Sequence, residues 1–237
     1  MSKSLVIIPT YNERENVEKM IRQVMTYEEN FHILIVDDGS PDGTSQIVEQ
    51  LQLEYSDQLH LEKRAGKQGL GTAYIHGFKW ALARDYEYIF EMDCDFSHNP
   101  DDLSRLLAPL QAGKASVSIG SRYCKGGKIS NWPIGRILMS YFASIYVRLI
   151  LWIKIKDTTA GFIGYHRDVL STIKIDNIYF KGYAFQICMK YAAKKHQFKI
   201  TEVPITFIDR QFGASKMSSG IFKEAFFGVW KMRKLKL

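Results

Sequence analysis

The chain has 237 residues, 46% of them hydrophobic, and a formal charge of +7. That apolar fraction supports a packed core and excludes global disorder, while the positive surplus points to anionic partners: nucleotides, lipid phosphates, an anionic membrane or nucleic acid. The three cysteines, Cys94, Cys124 and Cys188, are scattered and form no C-x-x-C pair, which argues against a disulfide framework or a zinc site and for a reducing compartment.

The first half alternates between strands and helices. Leu5 to Ile8 is a short apolar run that ends at Pro9, Thr10, Tyr11 and Asn12, and with no charged leader before it no signal peptide is expected. Glu13 to Met25 reads as a helix with Val17, Ile21 and Val24 on one face. His32 to Val36 is a second strand, stopped by Asp37, Asp38, Gly39 and Ser40. A helix follows from Thr44, whose hydroxyl is expected to cap it. A weak strand at Leu59 to Glu62 leads into a basic, glycine-rich loop, Lys63 to Leu70, and a helix from Gly71 to Arg84. Tyr86 to Met92 is a fourth strand, Pro100 to Leu110 a helix and Ala115 to Ile119 a fifth strand. This order predicts an α/β fold built on a mainly parallel sheet with helices on both faces. Ligands of such sheets bind at the carboxyl ends of the strands, and here four such ends carry polar, acidic or glycine-rich loops. Neither G-x-G-x-x-G after the first strand nor G-x-x-x-x-G-K-[ST] is present, which disfavours dinucleotide oxidoreductases and P-loop NTPases.

The most chemically pointed stretch is Tyr88 to Asp102, YIFEMDCDFSHNPDD. Asp93 and Asp95 stand one residue apart at the end of a buried strand, and carboxylates that close repel unless a cation lies between them. Hard oxygen ligands suit Mg²⁺ or Mn²⁺, which bind through one or two carboxylates plus substrate phosphates. Spacing alone leaves a second reading open, an acidic turn capping the next helix.

After Ile119 the character changes. Gly120 to Tyr123 leads into a basic loop, CKGGKISNWPIG, expected to be flexible, and then Ile134 to Ile155, the most apolar stretch of the chain. It is long enough to span a bilayer, but Arg136 and Arg148 interrupt it. On a helix Arg136, Ser140, Ser144 and Arg148 cover a polar arc of roughly a third of the circumference. That suits a helix lying in a membrane interface or at a subunit contact; a helix buried in the core is the alternative. Asp157 to Ile163 reads as a turn into a short strand, Lys181 to Lys194 as a helix, and Ile200 to Ile208, with Pro204 inside, as an edge strand or strand pair. The loop Asp209 to Ser218 carries Arg210 and Lys216. The segment 219–237 reads as a last helix, apolar on one side and basic at its end, suited either to an anionic leaflet or to a solvated helix end.

Taken together, PTYNERENV (Pro9–Val17), VDDGSPDGT (Val36–Thr44), GKQGLGTAY (Gly66–Tyr74), MDCDFSHNP (Met92–Pro100), GSRY with the glycine pair (Gly120–Gly127), DTTAGF (Asp157–Phe162) and DRQFGASKMS (Asp209–Ser218) resemble the family 2 glycosyltransferases of GT-A fold, and more closely those of the dolichol-phosphate (polyprenol-phosphate) mannose synthase type. The resemblance covers nearly the whole chain and implies one glycosyltransferase domain over 1–237, with 134–155 and 219–237 as membrane-interface helices. It implies that Pro9, Tyr11, Glu13, Val36 and Asp38 hold a guanine nucleotide's base and ribose. Asp93, Cys94 and Asp95 would meet the diphosphate and sugar, with Asp93, Asp95 and Ser97 on Mg²⁺ or Mn²⁺. Arg122, Arg210 and Lys216 would reach donor or acceptor phosphates; each of these three, taken alone, reads first as a surface cation. Asp95, Arg122, Arg210 and Lys216 form the implied catalytic set. The implied reaction is inverting transfer of mannose from GDP-mannose to a polyprenyl phosphate. It would take place at the cytoplasmic face of a membrane, with the lipid reached from the surface or through a partner subunit.

The sequence departs from the family pattern at two positions. Cys94 replaces the usual alanine between the aspartates, and Phe185, Gln186, Ile187, Cys188 replaces F-Q-x-E. A carboxylate in that region would serve as general base toward an alcohol acceptor, whereas a phosphate acceptor is already anionic and needs none. The rival readings are transfer of glucose or another sugar from UDP to polyprenyl phosphate or a surface polysaccharide, and a nucleotide-sugar-binding membrane scaffold that has lost catalysis. Nucleic acid is not an expected partner: the basic residues sit in separate loops and a tail, without a recognition-helix or RNP pattern.

Overall fold

The computed structural model describes residues 4–209 and 219–235. Its centre is β1 (Ser4–Thr10), parallel to β2 (His32–Asp37) on one side and to β4 (Tyr88–Glu91) on the other. Leu5, Val6, Ile7 and Ile8 are fully buried, as a continuous apolar run must be when helices cover both faces of a parallel sheet. β3 (Leu59–Lys63) extends the sheet beyond β2. On the other side follow β7 (Ile163–His166), β5 (Val117–Ser121) and β8 (Ile200–Pro204), giving the order β3-β2-β1-β4-β7-β5-β8. β7 runs antiparallel to both neighbours and every other pairing is parallel, so the mainly parallel expectation holds. The chain leaves β1 toward β2 on one side and returns as β4 on the other, which opens a crevice at the carboxyl ends of these strands.

One face of the sheet is covered by α1 (Val17–Val24), α2 (Thr44–Gln52) and α4 (Asp102–Gln111). The other is covered by α3 (Leu70–Leu82), α5 (Ile134–Leu151), α6 (Arg167–Thr172), α7 (Tyr183–Lys195) and α8 (Ser219–Met232). The loop after β5, expected to be flexible, contains β6 (Lys128–Ser130), which pairs in parallel with β9 (Thr206–Ile208). Gly127, just before β6, lies against the Arg122 main chain, where a Cβ would come within 2.6 Å of the carbonyl; only glycine permits that approach.

Most element ends shift by one or two residues from the sequence reading, and three differences have a clear physical cause. The first helix begins at Val17 rather than Glu13, because Glu13 to Asn16 form a turn in which the Glu13 carbonyl accepts from the Asn16 and Val17 amides. Thr44 does not cap α2. Gly43, at φ +94°, holds the cap position, and the Thr44 amide and hydroxyl both donate to Asp42 Oδ1. The apolar stretch 134–155 is not one helix: α5 stops at Leu151, Trp152 takes a left-handed φ of +55°, and Ile153 and Ile155 turn into the core.

α5 is amphipathic with its polar side inward. Ser144 is buried together with Val147 and Leu151, and the Thr158 hydroxyl donates to it. Ile134, Phe142, Leu149 and Trp152 are each more than 60% exposed. By length and composition alone α5 could cross a membrane, and only 17% of it is buried inside the protein. Phe226, Phe227 and Trp230 of α8 continue the exposed apolar surface, and Tyr146 joins the two helices: it stacks on Phe226 and accepts from Trp230 Nε1.

Candidate active site

Two loops at the strand ends are laced together before any ligand is considered. The amides of Asn12, Glu13 and Arg14 donate to Ser40 Oγ, Thr44 Oγ1 and Asp42 Oδ2. Asp37 accepts from Thr10, Ser40 and Ser45. Burial alone would raise its pKa, but these hydrogen bonds outweigh that and hold it below the usual carboxylate value. Of the two adjacent aspartates, Asp37 is therefore the brace. Asp38 faces the crevice, where Arg64 Nε donates to its Oδ1 at 2.6 Å.

β4 ends one residue before Met92, and the acidic turn follows. Asp95 Oδ1 accepts from the Ser97 amide at 3.1 Å. Phe96 between them sits at φ +59°, a conformation that costs a non-glycine residue about 1 kcal/mol or more and persists only where its surroundings enforce it. His98 ties down the start of the turn. Its Nδ1 accepts from the Asp93 amide at 3.2 Å, and its ring stacks on Phe162 at 5.1 Å and meets Phe207 edge-on. Burial lowers the His98 pKa, which keeps the ring neutral and able to accept. Asp93 Oδ1 accepts weakly from Tyr74, whose hydroxyl is pushed well above its ordinary pKa by burial and by Asp93.

These loops enclose a cavity of about 440 Å³. Of the residues singled out in the sequence, Pro9, Tyr11, Glu13, Asp38, Asp93, Cys94, Asp95, Ser97 and Arg122 all line it. Val36 does not: its side chain is fully buried in the core, as expected of a strand residue on the sheet's inner face. Arg210 and Lys216 lie outside the described residues. Among the described residues no three His, Cys, Asp or Glu side chains converge as a cage for an ion. Two carboxylates and a hydroxyl at Asp93, Asp95 and Ser97 instead suit a hard cation that takes its remaining ligands from a bound diphosphate.

Arg122 lines the cavity from a buried position, held along one edge of its guanidinium. Its Nε and Nη2 each donate to Asp157 at 2.7 Å, its amide donates to the same carboxylate at 2.9 Å, and Nη2 also donates to Thr159 Oγ1. Burial alone would raise Asp157; Arg122 reverses this and holds it low. Beyond Arg122 lies a second cavity of about 460 Å³ between α5 and α8, lined by Met139, Phe142, Ala143, Val147, Phe226 and Phe227 among others. Arg122, Trp132, Arg136, Thr159 and Tyr183 line both cavities. Arg136 stacks on Trp132 at 3.9 Å and pairs with Asp209. The sequence reading did not single out Arg64, His98, Arg136 or Thr159 as site residues. His98 and Thr159 lay within motifs it quoted, and Arg136 lay in the polar arc of α5. Cys188 is fully buried in the core side of α7 and lines neither cavity; burial pushes its thiol to about 12.

A polar cleft at the strand ends thus meets an apolar cavity, with two arginines, Arg122 and Arg136, on the wall they share. Residues 5–174 match the glycosyl transferase family 2 model, and the chain belongs to that family; it is a glycosyltransferase. It is 47% identical over 233 residues, 98% of this chain and 88% of the relative, to the polyprenol monophosphomannose synthase of Mycolicibacterium smegmatis (strain ATCC 700084 / mc(2)155). Its fold is similar to that of glucosyl-3-phosphoglycerate synthase from Mycobacterium tuberculosis, solved with Mn²⁺, UDP-glucose and phosphoglyceric acid: TM-score 0.73 at 14% identity, over 100% of this chain and 81% of that one. It is also similar to the mannosyltransferase PcManGT from Pyrobaculum calidifontis, solved with GDP-Man and Mn²⁺: TM-score 0.60 at 14% identity, over 97% and 69%.

Proposed function

We propose that the enzyme transfers mannose from GDP-mannose to a polyprenyl phosphate with inversion, giving polyprenyl-phosphate β-mannose at the cytoplasmic surface of a membrane. The observation that carries this reading is the meeting of the two cavities at Arg122. The polar cavity takes the nucleotide sugar. Pro9, Tyr11, Glu13 and Asp38 surround the base and ribose, and Asp93, Cys94 and Asp95 lie against the diphosphate and sugar. Asp93, Asp95 and Ser97 would hold Mg²⁺ or Mn²⁺, which when bound neutralises the departing diphosphate.

The apolar cavity takes the first prenyl units of the acceptor. Arg122, whose Nε and Nη2 edge is held by Asp157, provides a cation for donor and acceptor phosphates together with Arg210 and Lys216, and hydrogen bonds to a charged donor are the stronger ones. A phosphate oxygen of the lipid attacks the anomeric carbon, the bond from that carbon to the diphosphate breaks, and GDP departs. No proton has to be removed from the attacking group, in keeping with the neutral, core-facing thiol at Cys188. Catalysis is then positioning and electrostatics. The outward apolar side chains of α5 and α8 would sit in the interfacial layer of the leaflet that holds the acceptor, and the basic end of α8 would face its anionic headgroups.

Purified protein given labelled GDP-mannose and polyprenyl phosphate in vesicles is expected to form a mannolipid. Chelator should abolish the product and added Mg²⁺ or Mn²⁺ restore it, and UDP-glucose should give none. Glucolipid without mannolipid, or no sugar-lipid from either donor, would overturn the reading.

A further inference from the structure

Lys190 of α7 is fully buried. Its Nζ donates to the Ala160 carbonyl at 2.7 Å and to the Gln186 carbonyl, one turn back on its own helix, at 3.2 Å. No carboxylate among the described residues forms an ion pair with it. The groups that face it through space are Glu91, Asp157 and Glu202, all favouring its charge, and Arg122 opposing it. Burial lowers its pKa to about 8. An ammonium without a direct counter-ion is a costly group to bury, and two carbonyls on a helix and a turn are a small return for structure alone.

The turn it holds explains the placement. Residues 158–161 lie in no helix or strand yet stand between the two cavities: Thr159, Ala160 and Gly161 line the polar one and Thr159 the apolar one as well. The ends of the turn are anchored. Glu202 accepts from the Lys156 and Asp157 amides, and the Phe162 carbonyl accepts from the Gly120 amide of β5. Among the described residues, the backbone of 158–161 has a single hydrogen-bonding partner, Lys190. The same turn presents Thr159 to the Arg122 guanidinium, next to Asp157 at its anchored end, and places Gly161 against the His98 ring, where a Cβ would lie 3.5 Å from Cε1. His98 in turn fixes the Asp93 amide.

We propose that Lys190 is a positioning residue for transfer: from behind the site, its ammonium sets the depth of the 158–161 turn, and through that turn the placement of Arg122 relative to the acidic turn at Asp93. Lys190 touches neither cavity. It acts by holding two already formed groups in register, and a misplacement of about 1 Å at such a point can cost up to a hundredfold in rate.

The inference rests on the proposed transfer reaction, so the test measures both. Wild type, Lys190→Met and Lys190→Arg are compared for mannolipid formation, GDP affinity in the presence of Mn²⁺, and thermal stability. Absence of product from wild type would remove the proposed reaction itself. With wild type active, K190M is expected to keep GDP affinity within about twofold while kcat falls roughly 10- to 100-fold, and K190R is expected to lie between the two. A folded K190M with wild-type kcat would overturn the proposal, as would a K190M that loses nucleotide affinity in proportion to rate, which marks general damage. If K190M does not fold, K190R decides: reduced kcat at unchanged GDP affinity supports the positioning role, and wild-type kcat contradicts it.

Discussion

The two cavities that meet at Arg122 are built on opposite principles. The polar one is walled by short loops whose own backbone donors and carboxylates are tied to each other, Asp42 to Thr44 and Arg14, Asp37 to Thr10, Ser40 and Ser45, His98 to Asp93. Its shape is set before a ligand arrives. The apolar one is a gap between two helices, α5 and α8, joined through Tyr146, and its outer rim is exposed hydrocarbon. The contrast teaches that a donor carrying charge needs preorganised polar groups, whereas a prenyl chain needs only apolar surface of the right width, which helices can supply without a fixed network.

The largest expected effect falls on the polar side. Asp95→Ala should lower kcat about a thousandfold or more, equivalent to ~4 kcal/mol. It should leave the circular-dichroism spectrum unchanged and remove the dependence of GDP binding on Mn²⁺; full activity in the variant would break the assignment of the acidic turn.

Next comes the joint between the regions. Asp157→Asn leaves the buried Arg122 guanidinium without its counter-ion, a change expected to cost about 3 to 5 kcal/mol and visible as a lower Tm near neutral pH. Because the folded Asp157 pKa is held below its unfolded value, its contribution is present above the ordinary carboxylate range and is lost as pH falls through the folded value. Wild type should therefore lose more stability on acidification than the variant does, and parallel curves would contradict the pairing.

On the apolar side, Phe142→Ser and Phe226→Ser should leave GDP affinity alone, raise the KM for vesicle-borne acceptor about tenfold and weaken vesicle sedimentation. A matching rise for the donor would erase the distinction between the cavities. The smallest effect is expected at Cys188→Ala, with kcat within about twofold of wild type and a stability loss of about 1 kcal/mol, since the thiol is neutral and faces the core.

How much of this was legible in the sequence follows the same division. The sheet and the donor loops could be read because each strand ended abruptly in polar residues: of the residues singled out at the described positions, only Val36 brings no side chain to the polar cavity. What was not legible there was the division of labour. Nothing in a pair of adjacent aspartates says that Asp37 braces while Asp38 faces the ligand, because that depends on Thr10 and Ser45 arriving from other elements. The apolar side was harder. A helical wheel separates polar from apolar faces but does not say which turns inward, and α5 reverses the usual rule by burying Ser144 and exposing Phe142. A lysine in a helix likewise reads as a solvated one, and Lys190 becomes visible only when the 158–161 turn is seen to rest on it.

The account's central claim is that donor and lipid occupy separate cavities joined at Arg122. A crystal structure with GDP, Mn²⁺ and a short-chain polyprenyl phosphate tests it most directly. The account predicts the ion on Asp93 and Asp95 against the diphosphate, the lipid phosphate beside Arg122 and the prenyl chain between α5 and α8. A chain lying elsewhere, or an ion bound away from those two carboxylates, would contradict it.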